Sequence, residues 1–320
     1  MAVSHAVGSE SRITRPPDRK EAHVKVHLNG RIVPLEEARI SPLDRGFLFG
    51  DGLYEGLRAF GGRLVGMPLH EKRLQAGLDE ARIPWDASQL TGLSHELLEA
   101  NGLRDAFVYW QITRGVPAPG QPVRARVLSG HVTPTLFGYA VPTPPLASYP
   151  PVPAKRASRV RDTRWLRGHV KSIALMGSCL AAMDAAHEGN DDALLIRDAA
   201  YDHPALLAEA TSANAMVVLE SPRGGVEITT PDLASTSILA GVTRDMMVDA
   251  AAKGLGGWKH GSISERPVTA AELDQAREVV ICGTLSMVTA ITHLDGRPIG
   301  TGESGPYAHD LLRLLIAAIG

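Results

Sequence analysis

Lys171 lies in "RWLRGHVKSIALMGSCLAAMDAAHEG", residues 164 to 189, between an arginine-rich, strand-like run and a long apolar run of helical character. An amine attacks a carbonyl carbon only when unprotonated, and desolvation or neighbouring cations lower a lysine's pKa towards that state. Arg164, Arg167 and His169 supply cations close in sequence, and Val170 and Ile173 supply apolar cover. A second feature is "ILAGVTRDMMVDAAAKG", 238 to 254. Here Thr243 precedes a helical run and can cap it, while Gly241, Val242 and Thr243 put backbone N–H groups at the positive end of the helix dipole, where an anion is stabilised. "CGTLSMV", 282 to 288, places Thr284 among small hydroxyl residues that can serve the same anion. Glu209, in "LLAEATSANAMVV", is a carboxylate able to hold a protonated heteroaromatic nitrogen. Taken singly, each has a plainer reading: a solvated lysine, an ordinary helix cap, a turn and a surface glutamate.

These residues need elements to position them. "HVKVHLNGRIVPL" sets Val24, Val26 and Leu28 on one face and turns at Asn29-Gly30, the pair that suits a type I′ hairpin. "LFGDGLYEGLRAFGG" is strand-like and glycine-rich; helices are predicted over 70–82 and 87–101; "AFVYWQITRG" alternates like a half-buried strand and pairs with "TLFGYAV". Residues 141 to 155 hold six prolines, which neither donate ladder hydrogen bonds nor continue a helix, so they read as an extended connector. Beyond it strands are predicted over 157–165, 192–197, 215–219, 226–230, 278–282 and 288–293, and helices over 172–188, 243–253 and 306–318. The mixture of adjacent strands and separate helices predicts an α+β fold of two lobes with a cleft between them. The expected division is a flexible arm over 1–22, a small domain over 23–142, the connector over 143–155 and a large domain over 156–320.

Several function classes have no support in the sequence. The formal charge of −2 lacks the basic footprint of a nucleic-acid or anionic-membrane binder. No run of about 18 apolar residues exists to span a bilayer, and Cys179 and Cys282, the only cysteines, cannot build a disulfide framework or a zinc cluster, so the cytosol is the expected location. "KGLGGWKHG" follows a helix and not a strand, so it reads as a helix end and turn, not a dinucleotide loop. Hydrolase and metalloprotease motifs are missing, and the histidines have no metal-ligand spacing.

Six ordered blocks, "DRGFLFGDGLYEGLRAF", "HEKRLQAGLDEARI", "VYWQITRG", "RWLRGHVKS", "SILAGVTRD" and "EVVICGTLSMVTAI", together resemble the fold type IV pyridoxal-phosphate enzymes. That group comprises D-amino-acid transaminases, branched-chain aminotransferases and aminodeoxychorismate lyases, and the blocks are most similar to the first. The resemblance runs from about Val26 to the C-terminus. It implies a pyridoxal 5′-phosphate cofactor held as an internal aldimine on Lys171, with Glu209 on the pyridine nitrogen and Arg164 near the phenolic oxygen. It also implies a phosphate site of Arg73, Val242, Thr243 and Thr284. Tyr54, Tyr109, Arg124 and Arg126 match the substrate-binding set of the D-amino-acid enzymes, whereas Gly56 and Arg58 match the branched-chain enzymes, and Gln111 stands where those carry a second arginine.

The implied reaction moves an amino group from a D-amino acid such as D-alanine to a 2-oxo acid such as 2-oxoglutarate or pyruvate, in a homodimer whose partner helps close each site. Branched-chain L-amino acids and (R)-amines are alternative donors. A C–C lyase and a non-catalytic binding protein on the same fold are the rival classes.

Overall fold

The computed structural model describes residues 24–128, 130, 132–199, 204–222 and 224–320. The expected arm over 1–22 lies outside them, as do residues 200–203.

The chain opens with the hairpin Lys25–Leu28 and Arg31–Pro34, and its turn residues Asn29 and Gly30 have φ of 49° and 84°, as a type I′ turn requires. Strand Ala106–Thr113 pairs with Thr135–Pro142 on one side and Gly52–Phe60 on the other. The resulting six-stranded sheet runs Arg31–Pro34, Lys25–Leu28, Thr135–Pro142, Ala106–Thr113, Gly52–Phe60, Arg63–Leu64 in spatial order. Helices Met67–Ala81 and Leu90–Ala100 cover one face, burying Leu74, Leu78, Leu90 and Leu97 against Leu53, Leu57, Val108 and Trp110. Alternation along Gly52–Phe60 turns Leu53, Glu55 and Leu57 towards the helices and Tyr54 and Gly56 towards a cavity on the far face.

The second sheet has nine strands among the described residues. Its main path is Ser264–Glu265, Val226–Thr230, Asn214–Glu220, Glu278–Gly283, Met287–Leu294, Ala154–Arg161, Asp192–Arg197, Leu206–Ala210. Both faces are apolar. Met216, Val218, Val280 and Cys282 pack under helices Val242–Ala252 and Pro306–Ile319, while their neighbours Ala215, Val217, Val279 and Ile281 pack on the reverse face. A third layer is the helix Met176–His187, whose Ala181 and Ala185 sit on Ala193 and Leu195.

The chain around Lys171 departs from expectation. The sequence predicts a strand over 157–165 and a helix from 172; instead the strand ends at Arg161, the helix starts at Met176, and Lys171 occupies the irregular segment between them. The strand ends because the Asp162 carboxylate takes the Arg164 backbone N–H at 3.1 Å, bending the chain out of the ladder. The helix starts late because the backbone here is engaged elsewhere. Ile173 donates to the Gly52 carbonyl at 3.1 Å, Tyr54 donates to the Lys171 carbonyl at 3.0 Å, and Ser172 bridges Leu53. A segment that belongs by sequence to the nine-stranded sheet is thus stitched to an edge of the six-stranded one.

Candidate active site

A cavity of about 730 Å³ lies where the two sheets meet, within the usual size of a small-molecule site. Lys171, Tyr54, Arg73, Arg164, Glu209, Val242, Thr243 and Thr284 all line it. They come from both sheets and from the stitched segment between them.

The Lys171 amine stands 4.2 Å from the centroid of the Tyr54 ring. Burial lowers its pKa to about 8, helped by the Arg73 charge and opposed by Glu55 and Glu209. A measurable fraction is therefore unprotonated near neutral pH. The cations responsible are not those expected from sequence. Arg167 and His169 turn away to Glu80, the latter at 2.8 Å, and Arg164 pairs with Asp162 and Glu209. The lysine's nearest cation in effect, Arg73, comes from the helix Met67–Ala81.

Glu209 sits on the strand Leu206–Ala210 and is almost fully buried. Arg164 donates to one of its oxygens at 2.6 Å and Asn214 to the other at 3.2 Å. Burial pushes its pKa up, and Arg164 counters in part. Arg164 is fixed in turn by Asp162 at 3.0 Å, so the guanidinium serves the carboxylate first.

At another wall stands the N-terminus of the helix Val242–Ala252. The sequence predicts Thr243 as its cap, but Gly241 occupies that position and Thr243 lies inside the first turn, with no side chain capping the helix. Gly241 leaves no room for a side chain: a Cβ there would stand 1.8 Å from Asn214 Oδ1. Uncapped first-turn N–H groups beside Thr243 and Thr284 form a cradle for an anion. Asn214 also donates to the Leu239 carbonyl at 3.0 Å, so one side chain ties Glu209 to the approach of that helix.

Arg73, expected at the phosphate, is already engaged. Its Nε and Nη2 donate to the two oxygens of Glu55 at 2.8 and 2.7 Å, and Nη1 donates to the Ala240 carbonyl at 2.8 Å. Burial alone would raise the Glu55 pKa; Arg73 and His70 overcome it and hold the carboxyl well below its usual range. Burial lowers the His70 pKa against the pull of Glu55, and its ring Nδ1 lies 2.8 Å from a Glu55 carboxylate oxygen. Glu55 and His70 were absent from the sequence-derived site. The available signal was a carboxylate on the helix-facing, apolar side of a strand, opposite His70 and Arg73 spaced one helical turn apart in "HEKR".

Four expected substrate residues, Arg58, Tyr109, Arg124 and Arg126, do not line the cavity. Arg58 is buried, donating to Tyr149 Oη at 2.8 Å and Pro144 O at 3.1 Å and stacking 4.7 Å over Phe60, so it braces the proline connector. Arg124 and Arg126 lie on the surface at 5.0 and 5.2 Å from the Phe49 ring. Tyr109 stands one layer back, its ring stacked 5.7 Å from Tyr54 and its hydroxyl donating to Gln111 at 3.0 Å. Phe107, not singled out from the sequence, does line the cavity, its ring filling the space above Gly56, where a Cβ would come within 2.7 Å of it.

An amine, a buried carboxylate and an anion cradle in one cavity fit pyridoxal phosphate, which needs one group for its aldehyde, one for its ring nitrogen and one for its phosphate. Comparison with known proteins agrees. The family model of the class IV amino-transferases matches residues 52–294. A D-alanine aminotransferase of Bacillus licheniformis is 33% identical over 293 residues, covering 90% of this chain and 94% of the relative. A Methanocaldococcus jannaschii protein, provisionally assigned as a branched-chain-amino-acid aminotransferase, is 32% identical over 294 residues, again covering 90% and 94%. Among solved structures, the branched-chain amino acid aminotransferase of Thermobaculum terrenum in its pyridoxal-phosphate form superposes with a TM-score of 0.76 at 25% identity, over 92% of this chain and 93% of that one. On the family match and the relatives aligned over nine-tenths of the chain, it belongs to the class IV aminotransferases, enzymes that use pyridoxal phosphate.

Proposed function

We propose that the protein transfers the amino group of a D-amino acid, D-alanine being the simplest, to a 2-oxo acid such as pyruvate or 2-oxoglutarate. The observation that carries the chemistry is the Lys171 amine, its pKa brought down to about 8, in one cavity with the buried carboxylate of Glu209. Pyridoxal phosphate, when bound, supplies an aldehyde for the amino group and a ring that accepts the electron pair released at the substrate's Cα. Lys171 would anchor it covalently and, as a free amine, would take and return the substrate's Cα proton at Nζ. Glu209, clamped by Arg164 and Asn214, would hold the ring nitrogen and favour its protonated form. The first turn of Val242–Ala252 and the hydroxyls of Thr243 and Thr284 hold the phosphate. Arg73 sets the height of that turn through the Ala240 carbonyl. Val170, Leu175 and Leu239 line the same walls and keep water from the reacting atoms.

D-amino donors are supported by Tyr54, Tyr109 and Gln111, the types found in the D-amino-acid enzymes, and by the D-alanine aminotransferase relative. Branched-chain L-amino acids are the second reading, supported by Gly56 under Phe107 and by the branched-chain relatives. A homodimer accounts for the apolar side chains of Phe47, Leu166, Met176, Leu180 and Met183, all more than half exposed here, the last three on one face of their helix. Two free cysteines suit a reducing compartment, the cytosol.

The test is a half-reaction on the yellow holoenzyme with no acceptor added. D-alanine is expected to bleach the visible band faster than L-leucine or an (R)-amine. Faster bleaching by L-leucine would replace the first reading with the second, and colour retained in Lys171→Ala, with amino-group exchange, would remove the lysine from its assigned role.

A further inference from the structure

We infer that Arg197 is a positioning residue for the cofactor's ring nitrogen: it supplies the counter-charge that Asp162 would otherwise draw from Arg164, and so leaves Arg164 to Glu209. The inference rests on the proposed reading, in which Glu209 holds that nitrogen.

Four side chains of alternating charge run from the end of a strand to the cavity. Arg197 closes the strand Asp192–Arg197, and its Nε stands 3.1 Å from Asp162 Oδ2. Asp162 in turn is bound to Arg164 three times, accepting the backbone N–H at 3.1 Å, Nε at 3.0 Å and Nη2 at 3.0 Å. The remaining Arg164 donor, Nη1, reaches Glu209 at 2.6 Å. The sheet makes the first of these contacts. The Asp162 backbone N–H donates to the Ile196 carbonyl at 2.7 Å, one residue before Arg197, and the neighbouring strand Leu206–Ala210 carries Glu209.

Arg197 is better matched in charge than in hydrogen bonding. The Asp162 carboxylate is fully enclosed and the Arg197 side chain is only 17% exposed. Yet Arg197 Nε and Nη2 are buried with no acceptor in hydrogen-bonding geometry among the described residues. Burying a guanidinium with unsatisfied donors costs stability, so what this side chain contributes is its charge. With Arg197 in place, two cations balance two carboxylates. Without it, Asp162 and Glu209 share Arg164 alone, and two buried carboxylates on one guanidinium cannot both stay ionised. Glu209 is the one that yields, because Asp162 holds Arg164 by three bonds and Glu209 by one. The other cation acting on Glu209 is Lys171, which the proposed reading commits to the cofactor. A protonated Glu209 would no longer favour a protonated ring nitrogen. Arg197 is not among the residues lining the cavity, so it acts on the site through these partners.

The experiment loads the enzyme and its variants with pyridoxal phosphate isotopically labelled at the ring nitrogen and reads that nitrogen's NMR shift at pH 7, beside kcat and KM. Arg197→Gln and Arg197→Met remove the charge with and without a polar tip. Both are expected to move the signal to the unprotonated range and to lower kcat about tenfold, with KM within about twofold. Arg197→Lys, which keeps the charge, and the double variant Arg197→Gln/Asp162→Asn, which removes both members of the pair, are expected to hold the signal and most of kcat. An unmoved signal in the charge-free variants, or no recovery in the double variant, overturns the inference. Failure of both charge-free variants to fold while Arg197→Lys folds assigns Arg197 a merely structural role and also overturns it. Glu209→Gln separates this inference from the reading beneath it. If that variant leaves the ring nitrogen protonated, the Glu209 assignment fails; if it moves the signal and the charge-free Arg197 variants do not, the inference alone fails.

Discussion

Tyr54 and Lys171 are joined twice: the tyrosine's backbone N–H donates to the lysine's carbonyl at 3.0 Å, and the lysine's amine stands 4.2 Å over the tyrosine's ring. One contact fixes where the lysine's backbone lies and the other where its charge goes. The amine is held in the cavity although burial disfavours its charged form.

That cost should be visible in the cofactor-free protein. The folded-state pKa, about 8, lies below the ordinary lysine value of 10.5, so at pH 7 the folded chain carries a charge that burial penalises. Lys171→Met is expected to stabilise the cofactor-free protein at pH 7 by about 2 kcal/mol, the shift being discounted for water in the cavity. The unfolded chain binds more protons between these two values, so wild-type stability rises with pH across that window and the gap closes towards pH 10.5. Urea midpoints of both proteins from pH 6 to 10 check the sign and the window.

Glu55 predicts the opposite behaviour. Glu55→Gln leaves Arg73 buried without a counter-charge and is expected to cost about 3 kcal/mol in denaturant unfolding. A double variant that also replaces Arg73 by Met should recover part of that loss, because it removes the orphaned charge.

Gly241 has a negative φ of −74°, so alanine there suits the backbone; the obstacle is Asn214 Oδ1. Gly241→Ala is expected to push the helix start out of line and weaken pyridoxal phosphate binding at least tenfold, the equivalent of about one charge-assisted hydrogen bond. Cofactor titration followed by fluorescence quenching measures it, with the thermal midpoint of the cofactor-free protein as control.

Glu209→Gln keeps the shape and the Asn214 environment but cannot favour a protonated ring nitrogen. A fall in kcat of at least about 100-fold is expected, with the visible band of the holoenzyme retained. Loss of the band with kcat otherwise normal per bound cofactor would mean that Glu209 only packs the wall.

Much of the fold was legible because its signals are local. Asn29-Gly30 carries its turn geometry in its own chemistry, and the alternation of residues 106–113 and 135–142 is enough to pair them. The seams were not legible. Lys171 reads as the junction of a strand and a helix until the hydrogen bonds of residues 171–173 to Gly52 and Tyr54 are known. Arg58 reads as a substrate residue because its partner Tyr149 is 91 positions away, and Arg167 and His169 read as the lysine's neighbours because Glu80 is 87 and 89 positions away. Lys171, Glu209 and the helix start were found by type and order, but the bracing of each by Arg73, Arg164 and Asn214 depends on contacts that sequence proximity does not encode.

The stitched segment 162–175 also limits how substrate can enter and leave. A hinge that swung the two lobes apart would have to tear Ile173 and Tyr54 from their backbone partners and drag the reacting amine with them. Opening the lobes would therefore cost these backbone hydrogen bonds, so the contacts that keep the amine aimed also oppose a clamshell gate.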